Sequence, residues 1–216
     1  MVEESTEVSA RRRETRTRLL DAAMEVFAEF GLQGSSVERI CSRAGFTRGA
    51  FYSNFSSKEE LFVAALERKF VEHGRELAEK ARGLEQELRE HPQVFSPELA
   101  TKYVIDFLAP SHDHETWHAL GLEVQLLAMR DPSVVAGQID FKAGLYSRIT
   151  GPVEQIIAAA GRRFVIPCEH ALPVLGSVYE STLGRGGFSH ARAAEVIDEM
   201  GERITELLFA FTEPLH

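Results

Sequence analysis

The residues His114 to His118 read HETWH, which matches the H-E-x-x-H pattern of zinc metallopeptidases. In that pattern two histidines one helical turn apart hold the metal, and the glutamate, here Glu115, acts as general base. A zinc enzyme also needs a third protein ligand downstream and an open fourth position on the metal. The later histidines form no second cluster and are His170, His190 and His216. We therefore interpret the match as incidental and expect no metal, no cofactor and no enzymatic activity.

Metal or thiol chemistry is the alternative interpretation. A zinc hydrolase would use the HETWH residues, and a metal-responsive regulator would bind zinc or nickel weakly through the same histidines and His112. Cys168 follows Pro167 at a predicted helix start, a position that can lower the pKa of a thiol. A redox-sensing role and a structural role both fit Cys168, whereas Cys41 is expected to pack in a core.

The composition is that of a soluble globular protein, with 44% hydrophobic and 26% charged residues among 216. No segment approaches the roughly 18 apolar residues of a membrane span. The acidic start MVEESTEVSA lacks the apolar core of a secretory signal. Two distant cysteines without metal-type spacing indicate a reducing compartment. We expect a cytoplasmic protein with no membrane partner.

The net charge of −9 is unevenly distributed. Residues 1–70 carry 11 Lys/Arg and 11 Asp/Glu, whereas residues 71–216 carry 13 and 22, so the whole deficit lies in the second part. Arg11 to Arg13, followed by Arg16 and Arg18, form a basic entry after the acidic start. An electroneutral segment with clustered arginine can still meet phosphate locally, with the acidic remainder facing away from it.

Hydrophobic periodicity predicts an all-α fold of about nine helices and almost no strand. A first helix covers Arg12 to Phe30, a second Val37 to Ala44, a third runs from the Thr47 cap to about Asn54, and a fourth from Ser57 to about Arg82. Further helical patterns lie at about 113–130, 133–160, 168–184 and 190–212, and Gly151-Pro152 is expected to kink or divide the second of these.

This pattern predicts three regions. Residues 1–11 form a flexible tail, and residues 12–56 form a small module of three helices. Residues 57–216 form a larger helical bundle.

Residues 36–55, SVERICSRAGFTRGAFYSNF, describe a helix-turn-helix, with Gly45 at the turn. The second helix buries Phe51 and Phe55 and keeps a polar outer face that suits a recognition helix in the major groove. Arg48 can reach guanine O6 and N7, and Ala50 can touch a thymine methyl. Phosphate contacts, which set register without reading sequence, are expected from Tyr52, Asn54 and Lys58. The full set of expected DNA-binding residues is Ser36, Thr47, Arg48, Gly49, Ala50, Tyr52, Ser53, Asn54 and Lys58.

The segment from Leu19 to Leu66 resembles the TetR family of bacterial transcription regulators. The shared hallmarks are Gly31, Ser36, Val37, Ala44, Gly45, Gly49, Tyr52, Phe55, Lys58 and Leu61. The departures are Cys41 for the usual alanine, Phe46 for valine, Asn54 for a common histidine, and the acidic Glu38 on a helix that often contacts the DNA backbone. The resemblance covers about residues 12–70 and implies a repressor that a small molecule releases from its operator. It also implies that residues 12–56 are the DNA-binding domain and that residues 57–216 serve ligand binding and dimerisation.

The resemblance also implies a homodimer on a near-palindromic double-stranded DNA operator, in which the last two helices of each subunit form a four-helix bundle. The residues expected at that interface are Leu172, Leu175, Tyr179, Val196, Met200, Ile204 and Leu207. An apolar or aromatic effector, or an ordinary core, would use the aromatic and flexible residues of the middle helices. The expected ligand-binding set is Phe107, Trp117, Leu120, Glu123, Leu127, Phe141 and Tyr146.

Overall fold

The computed structural model describes residues 2–91, 95–108, 114–132, 141–186 and 193–215. Nine helices and one two-stranded sheet form this part of the chain. The helices are α1 (Val2–Gly34), α2 (Val37–Ala44), α3 (Arg48–Tyr52), α4 (Lys58–Glu90), α5 (Pro97–Leu108), α6 (His114–Arg130), α7 (Phe141–Ala159), α8 (Cys168–Gly186) and α9 (Ala193–Ala210). The strands are β1 (Arg162–Phe164) and β2 (Thr212–Pro214). Among these helices, none combines the length and apolarity that a membrane crossing requires.

The predicted all-α fold is confirmed, and α2 spans the predicted residues, but two local features differ from the expectation. Helix α1 begins at Val2, so the segment expected to be a flexible tail is helical. Helix α7 is one element that continues through Pro152. Its neighbours Ile149 and Ile156 are buried, and their packing offsets the backbone hydrogen bond that a proline removes.

The sequence does not predict the small antiparallel sheet. It pairs Arg162 with Pro214 and Phe164 with Thr212. The guanidinium of Arg162 also donates to the hydroxyl and the carbonyl of Thr212, each at 2.9 Å, and lies 4.2 Å from the ring centroid of Phe209. Strands of three residues are too short to show a recognisable alternation in the sequence. Their pairing partners also lie about 50 positions away along the chain.

The described residues divide into two compact units. Unit 1 comprises those of Met1–Lys69 and Ala119–Asp140, and unit 2 those of Phe70–His118 and Phe141–His216. This division differs from the expected boundary after residue 56. Helix α4 contributes residues to both units, and most of α6 belongs to unit 1 although it follows α5 in the chain.

Unit 1 has an aromatic and aliphatic core that joins α1 to α4. Phe27 and Phe62 meet edge to face with centroids 4.9 Å apart, and Phe51 and Phe55 of the short third helix are almost fully buried. Each such side chain contributes roughly 1.5–3 kcal/mol through burial. The core therefore fixes the helix-turn-helix from below and leaves its other face to solvent.

Unit 2 is held by three apolar clusters. The first gathers residues of α7, α8 and α9, namely Ile157, Leu175, Met200, Ile204 and Leu208. The second gathers Leu77, Ile149, Cys168 and Leu172, and the third Ala81, Leu88 and Ile156. Helix α9 packs on both α5 and α8, and a hydrogen bond of 3.1 Å between the Thr101 and Thr205 hydroxyls accompanies the α5 contact.

Candidate nucleic-acid interface

Helix α2 is closed at both ends by its own neighbours. At its start the Ser36 side chain accepts the Arg39 N–H at 3.2 Å. At its end Gly45 adopts a left-handed conformation (φ 70°, ψ 34°), and its N–H donates to the carbonyls of Cys41 and Ser42. A side chain at Gly45 would be strained at this positive φ, so glycine makes the tight turn into α3 possible.

Helix α3 presents the polar face that the sequence predicts. Thr47 caps it by accepting the Ala50 N–H at 3.3 Å. Phe51 and Phe55 point into the core. The exposed residues of the helix and its caps are Thr47, Arg48, Gly49, Tyr52 and Ser53, while Ala50 and Asn54 are half-buried. The side-chain amide of Asn54 donates back to the Ala50 carbonyl at 2.8 Å, so this group is held against the helix.

Three arginines of the basic entry hold the helix-turn-helix in place. Arg16 donates to the Asn54 carbonyl at 3.1 Å and lies over the Phe55 ring, and Arg18 donates to the Ala44 carbonyl at 2.9 Å. Arg12 reaches the Ser53 carbonyl at 3.3 Å. These guanidinium groups satisfy carbonyls at the ends of α2 and α3, which are acceptors that a helix leaves without internal partners.

Arg48 is paired with a carboxylate on the same exposed surface. Its Nη1 lies 2.8 Å from Glu38 Oε1, and the two side chains are 61% and 59% exposed. The hydroxyl of Tyr52 is the main cause that raises the pKa of Arg48, followed by the charge of Glu38. The pKa of Glu38 is lowered, first by a hydrogen bond from its own backbone N–H and then by Arg48. Glu38 is one of the departures from the family pattern, but the sequence does not predict its pairing with Arg48.

Lys58 has a different environment from the expected phosphate contact. Its ammonium donates to the carbonyl of Leu32 at 2.7 Å and to that of Ser35 at 3.0 Å. The Lys58 side chain is half-buried and joins α4 to the connection between α1 and α2. A phosphate contact, which remains a prediction, would therefore compete with two backbone acceptors.

Glu123 of α6, which is expected to orient a ligand, also contacts the end of α1. Its Oε2 accepts the Leu32 N–H at 2.6 Å, next to the break in α1 at Gly31 (φ 66°). A β-carbon at Gly31 would come within 2.6 Å of Glu123 Oε1, so the glycine makes room for the carboxylate. The structure thus assigns this carboxylate a backbone partner that the spacing of the sequence could not reveal.

The other expected ligand residues are distributed over both units. Leu120 is buried and Leu127 half-buried in unit 1. Phe107 and Tyr146 pack against an apolar cluster of unit 2, which fits the ordinary core that the sequence also allows for these residues. The side chains of Trp117 and Phe141 lie outside the described residues, as do those of the HETWH motif and His112. Among the described side chains, no three metal-ligating groups gather at one place.

Four of the expected dimer residues are buried within one chain. Leu172, Leu175, Met200 and Ile204 are at most 9% exposed and form apolar clusters there. Tyr179, Val196 and Leu207 are half-buried. A stripe on α8 or α9 looks the same whichever neighbour covers it, so the contact of this set with a partner chain remains a prediction.

The pKa of Cys168 is raised, which favours the structural one of the two interpretations that the sequence allows. The thiol is 1% exposed, and burial raises its pKa to about 12, with a further contribution from Glu154. Burial likewise raises the pKa of Cys41. A thiol that stays protonated is a poor nucleophile, and this favours a structural role for both cysteines. The expectation that Cys41 packs in the core is confirmed.

Residues 19–65 match the family described as "Bacterial regulatory proteins, tetR family". Solved structures share the fold over nearly the whole chain. A transcriptional regulator assigned to the TetR family from Mesorhizobium loti MAFF303099 superposes with a TM-score of 0.72 at 17% identity, covering 93% of this chain and 97% of that one. Escherichia coli NemR in its reduced form gives 0.64 at 16% identity over 93% and 98%.

Curated relatives match over part of the chain. The transcriptional repressor AcnR of Corynebacterium diphtheriae is 33% identical over 129 residues, which are 60% of this chain and 56% of that protein. The transcriptional regulator UidR of Escherichia coli is 29% identical over 127 residues, 56% of each. The chain thus spans about half the length of these two curated relatives.

Proposed function

We propose that the chain is a DNA-binding transcription regulator, a repressor that a small molecule releases, because residues 19–65 match the TetR family of bacterial regulatory proteins. The observation that carries this proposal is the exposed polar face of α3, which stands on the buried Phe51 and Phe55. A rigidly supported helix with an arginine in its first turn suits the major groove.

Within this function each residue of α3 has a chemical role. Arg48 donates to O6 and N7 of a guanine, and Gly49 and Ala50 are small enough to let the helix approach the base edges. Tyr52 and the exposed hydroxyls of Ser36, Thr47 and Ser53 donate to phosphates. Because phosphate contacts carry no sequence information, Arg48 supplies most of the discrimination.

Two such helices must act together to read a near-palindromic operator. Their centres have to lie about one helical turn, roughly 34–36 Å, apart, which a homodimer supplies. We propose that the subunits pair through outer surfaces of α8 and α9. On α8, Val174 is 44% exposed and neighbours the half-buried Val178, which supports an apolar contact there.

The effector is proposed to be an apolar or aromatic small molecule. Helix α4 contributes residues to both units. Within unit 1, Glu123 of α6 accepts a hydrogen bond from the backbone N–H of Leu32. A ligand that displaces either helix changes the spacing of the two recognition helices. Linkage requires that the ligand weaken DNA binding by the factor by which DNA weakens ligand binding, roughly 5–150-fold for a typical coupling.

The first prediction tests base reading. We expect Arg48→Ala to weaken binding to a sequence selected from random duplexes by roughly tenfold to 100-fold and to relax the preference at one position of each half-site. Arg163→Ala is the matched control, because this arginine is 63% exposed and pairs with Glu213 at 2.6 Å, but lies in unit 2. The measurement is the Kd on selected and scrambled duplexes. An equal loss on both duplexes would contradict the base-reading role.

A further inference from the structure

We propose that Glu38 is a specificity-determining residue, whose carboxylate holds Arg48 for a guanine edge and disfavours DNA that offers no guanine there. The proposal rests on the proposed DNA-binding function and adds to it a residue from the first helix of the helix-turn-helix. It assigns a positive role to the one acidic side chain that α2 carries.

The geometry of the pair fits a positioning role. Glu38 lies in the first turn of α2 and Arg48 in the first turn of α3, so the contact bridges the two helices on the exposed side. The Glu38 carboxylate is itself held by its own backbone N–H and by the Ser36 hydroxyl. An anchored acceptor restricts the rotamers of a long, exposed arginine, which would otherwise lose that freedom only on binding DNA.

The same contact leaves Arg48 able to read a base. The contact with Glu38 is made by Nη1 of the guanidinium. A guanidinium has five N–H donors in a planar fork, so Arg48 can keep this contact while other donors reach guanine O6 and N7. Tyr52, whose ring centroid lies 5.9 Å from the guanidinium carbon, flanks the group from within α3.

The charge of Glu38 also helps to discriminate between DNA that offers a guanine to Arg48 and DNA that does not. The carboxylate is exposed on a surface that must approach the phosphates, where a negative charge is repelled. On a cognate site this repulsion is offset, because Arg48 bonds to guanine while its charge still neutralises Glu38. On other sequences the repulsion remains without the compensating base contact, so affinity for them falls more.

The second prediction concerns Glu38→Gln, which keeps the shape and an acceptor oxygen but removes the charge. Full-length wild type and variant are used to select duplexes from one random pool, and the Kd is then measured on a selected and a scrambled duplex at several salt concentrations. Glu38→Gln should bind scrambled duplex about two- to fivefold more tightly, the order of one exposed charge interaction. Its guanine preference should fall at the same position that Arg48→Ala relaxes.

Glu25→Gln is the matched control. Glu25 pairs with Arg43 at the same distance of 2.8 Å and is 60% exposed, but it lies on α1. We expect it to change neither the selected sequence nor the affinity for scrambled duplex by more than about twofold. Thermal unfolding of all variants checks that the fold is intact.

Two results would overturn the proposal. If Glu38→Gln tightens selected and scrambled duplexes by the same factor, Glu38 repels DNA without influencing sequence choice. If it changes nothing, the pair with Arg48 is irrelevant to binding. Failure of the proposed function gives a different result, because the wild type would then enrich no sequence from the pool and bind no duplex at low salt.

Discussion

The helix caps of the helix-turn-helix in unit 1 and the polar contacts of the helical bundle in unit 2 join residues at different distances along the chain. In unit 1 Ser36 caps the N–H three positions later, and Thr47 does the same. In unit 2 the Thr101 hydroxyl meets that of Thr205, and Arg162 meets Thr212. Short-range bonds depend on residue order alone, whereas long-range bonds depend on a packing that no local pattern encodes.

The third prediction tests the core of each unit and has the largest expected effect. Phe51→Ala should lower the free energy of unfolding by about 3–5 kcal/mol, and Met200→Ala by about 2–5 kcal/mol, because both side chains are almost fully buried. Chemical denaturation followed by circular dichroism measures the change, and DNA binding should be lost in Phe51→Ala. Phe30→Ala is the control, since this phenylalanine is 38% exposed and Arg39 lies 4.0 Å over its ring.

We expect Phe30→Ala to cost about 0.5–1 kcal/mol, the magnitude of an exposed cation–π contact. If Phe51→Ala cost no more than that, the recognition helix would not depend on the core beneath it. The comparison between the two units would then lose its basis in packing.

The fourth prediction compares one long-range polar bond from each unit. Glu123→Ala removes the acceptor of the partly buried Leu32 N–H and should cost about 1–3 kcal/mol. Thr205→Val removes a neutral hydroxyl bond with nearly the same shape and should cost about 0.5–1.5 kcal/mol. Glu123→Gln, which retains an oxygen acceptor, should recover at least half of the loss. Urea titrations measure all three variants.

An equal cost for Glu123→Ala and Thr205→Val would mean that the carboxylate contributes no more than a neutral hydroxyl. Unit 1 would then depend on ordinary packing to the same degree as unit 2. The proposed route from α6 to the DNA-binding helices would also lose its support, because the contact at Leu32 would carry too little free energy to transmit a shift.

The sequence predicts unit 1 well for a physical reason. The cap at Thr47, the turn at Gly45 and the burial of Phe51 all follow from residues within a few positions of one another. The polar face of α3 follows from the same pattern, so the candidate DNA-reading residues were found without the structure. Their contacts with DNA remain predictions.

The remaining features depend on distant parts of the chain. Glu123 meets Leu32 across 91 positions, and Lys58 meets the same residue across 26. Neither pairing leaves a periodic signal. The stripe that includes Met200 shows that α9 is amphipathic, but it does not show that α5 and α8 of the same chain cover it. The expected dimer contacts of this stripe therefore remain a prediction.

The two cysteines, one in each unit, allow a last and smaller test. The Cys168 thiol has a pKa of about 12 in the folded protein, against 9.0 for an unperturbed thiol. Below pH 9 both folded and unfolded chains keep the proton, so the burial of the neutral thiol is favourable. Above pH 9 the unfolded chain releases the proton while the folded chain keeps it, and stability falls until the pH reaches about 12. The sign is therefore a loss of stability on the alkaline side.

The fifth prediction follows from this pH window. Between pH 8 and pH 10 the wild type should lose about 1 kcal/mol more unfolding free energy than Cys168→Ala, since each pKa unit corresponds to about 1.4 kcal/mol. Cys41→Ala should also remove part of the pH dependence, because burial and then the charge of Glu38 raise the pKa of that thiol. Denaturant titrations at pH 8, 9 and 10 provide the measurement. If wild type and Cys168→Ala had the same pH dependence, the thiol would reach water in the folded chain, and a redox role for unit 2 would again have physical support.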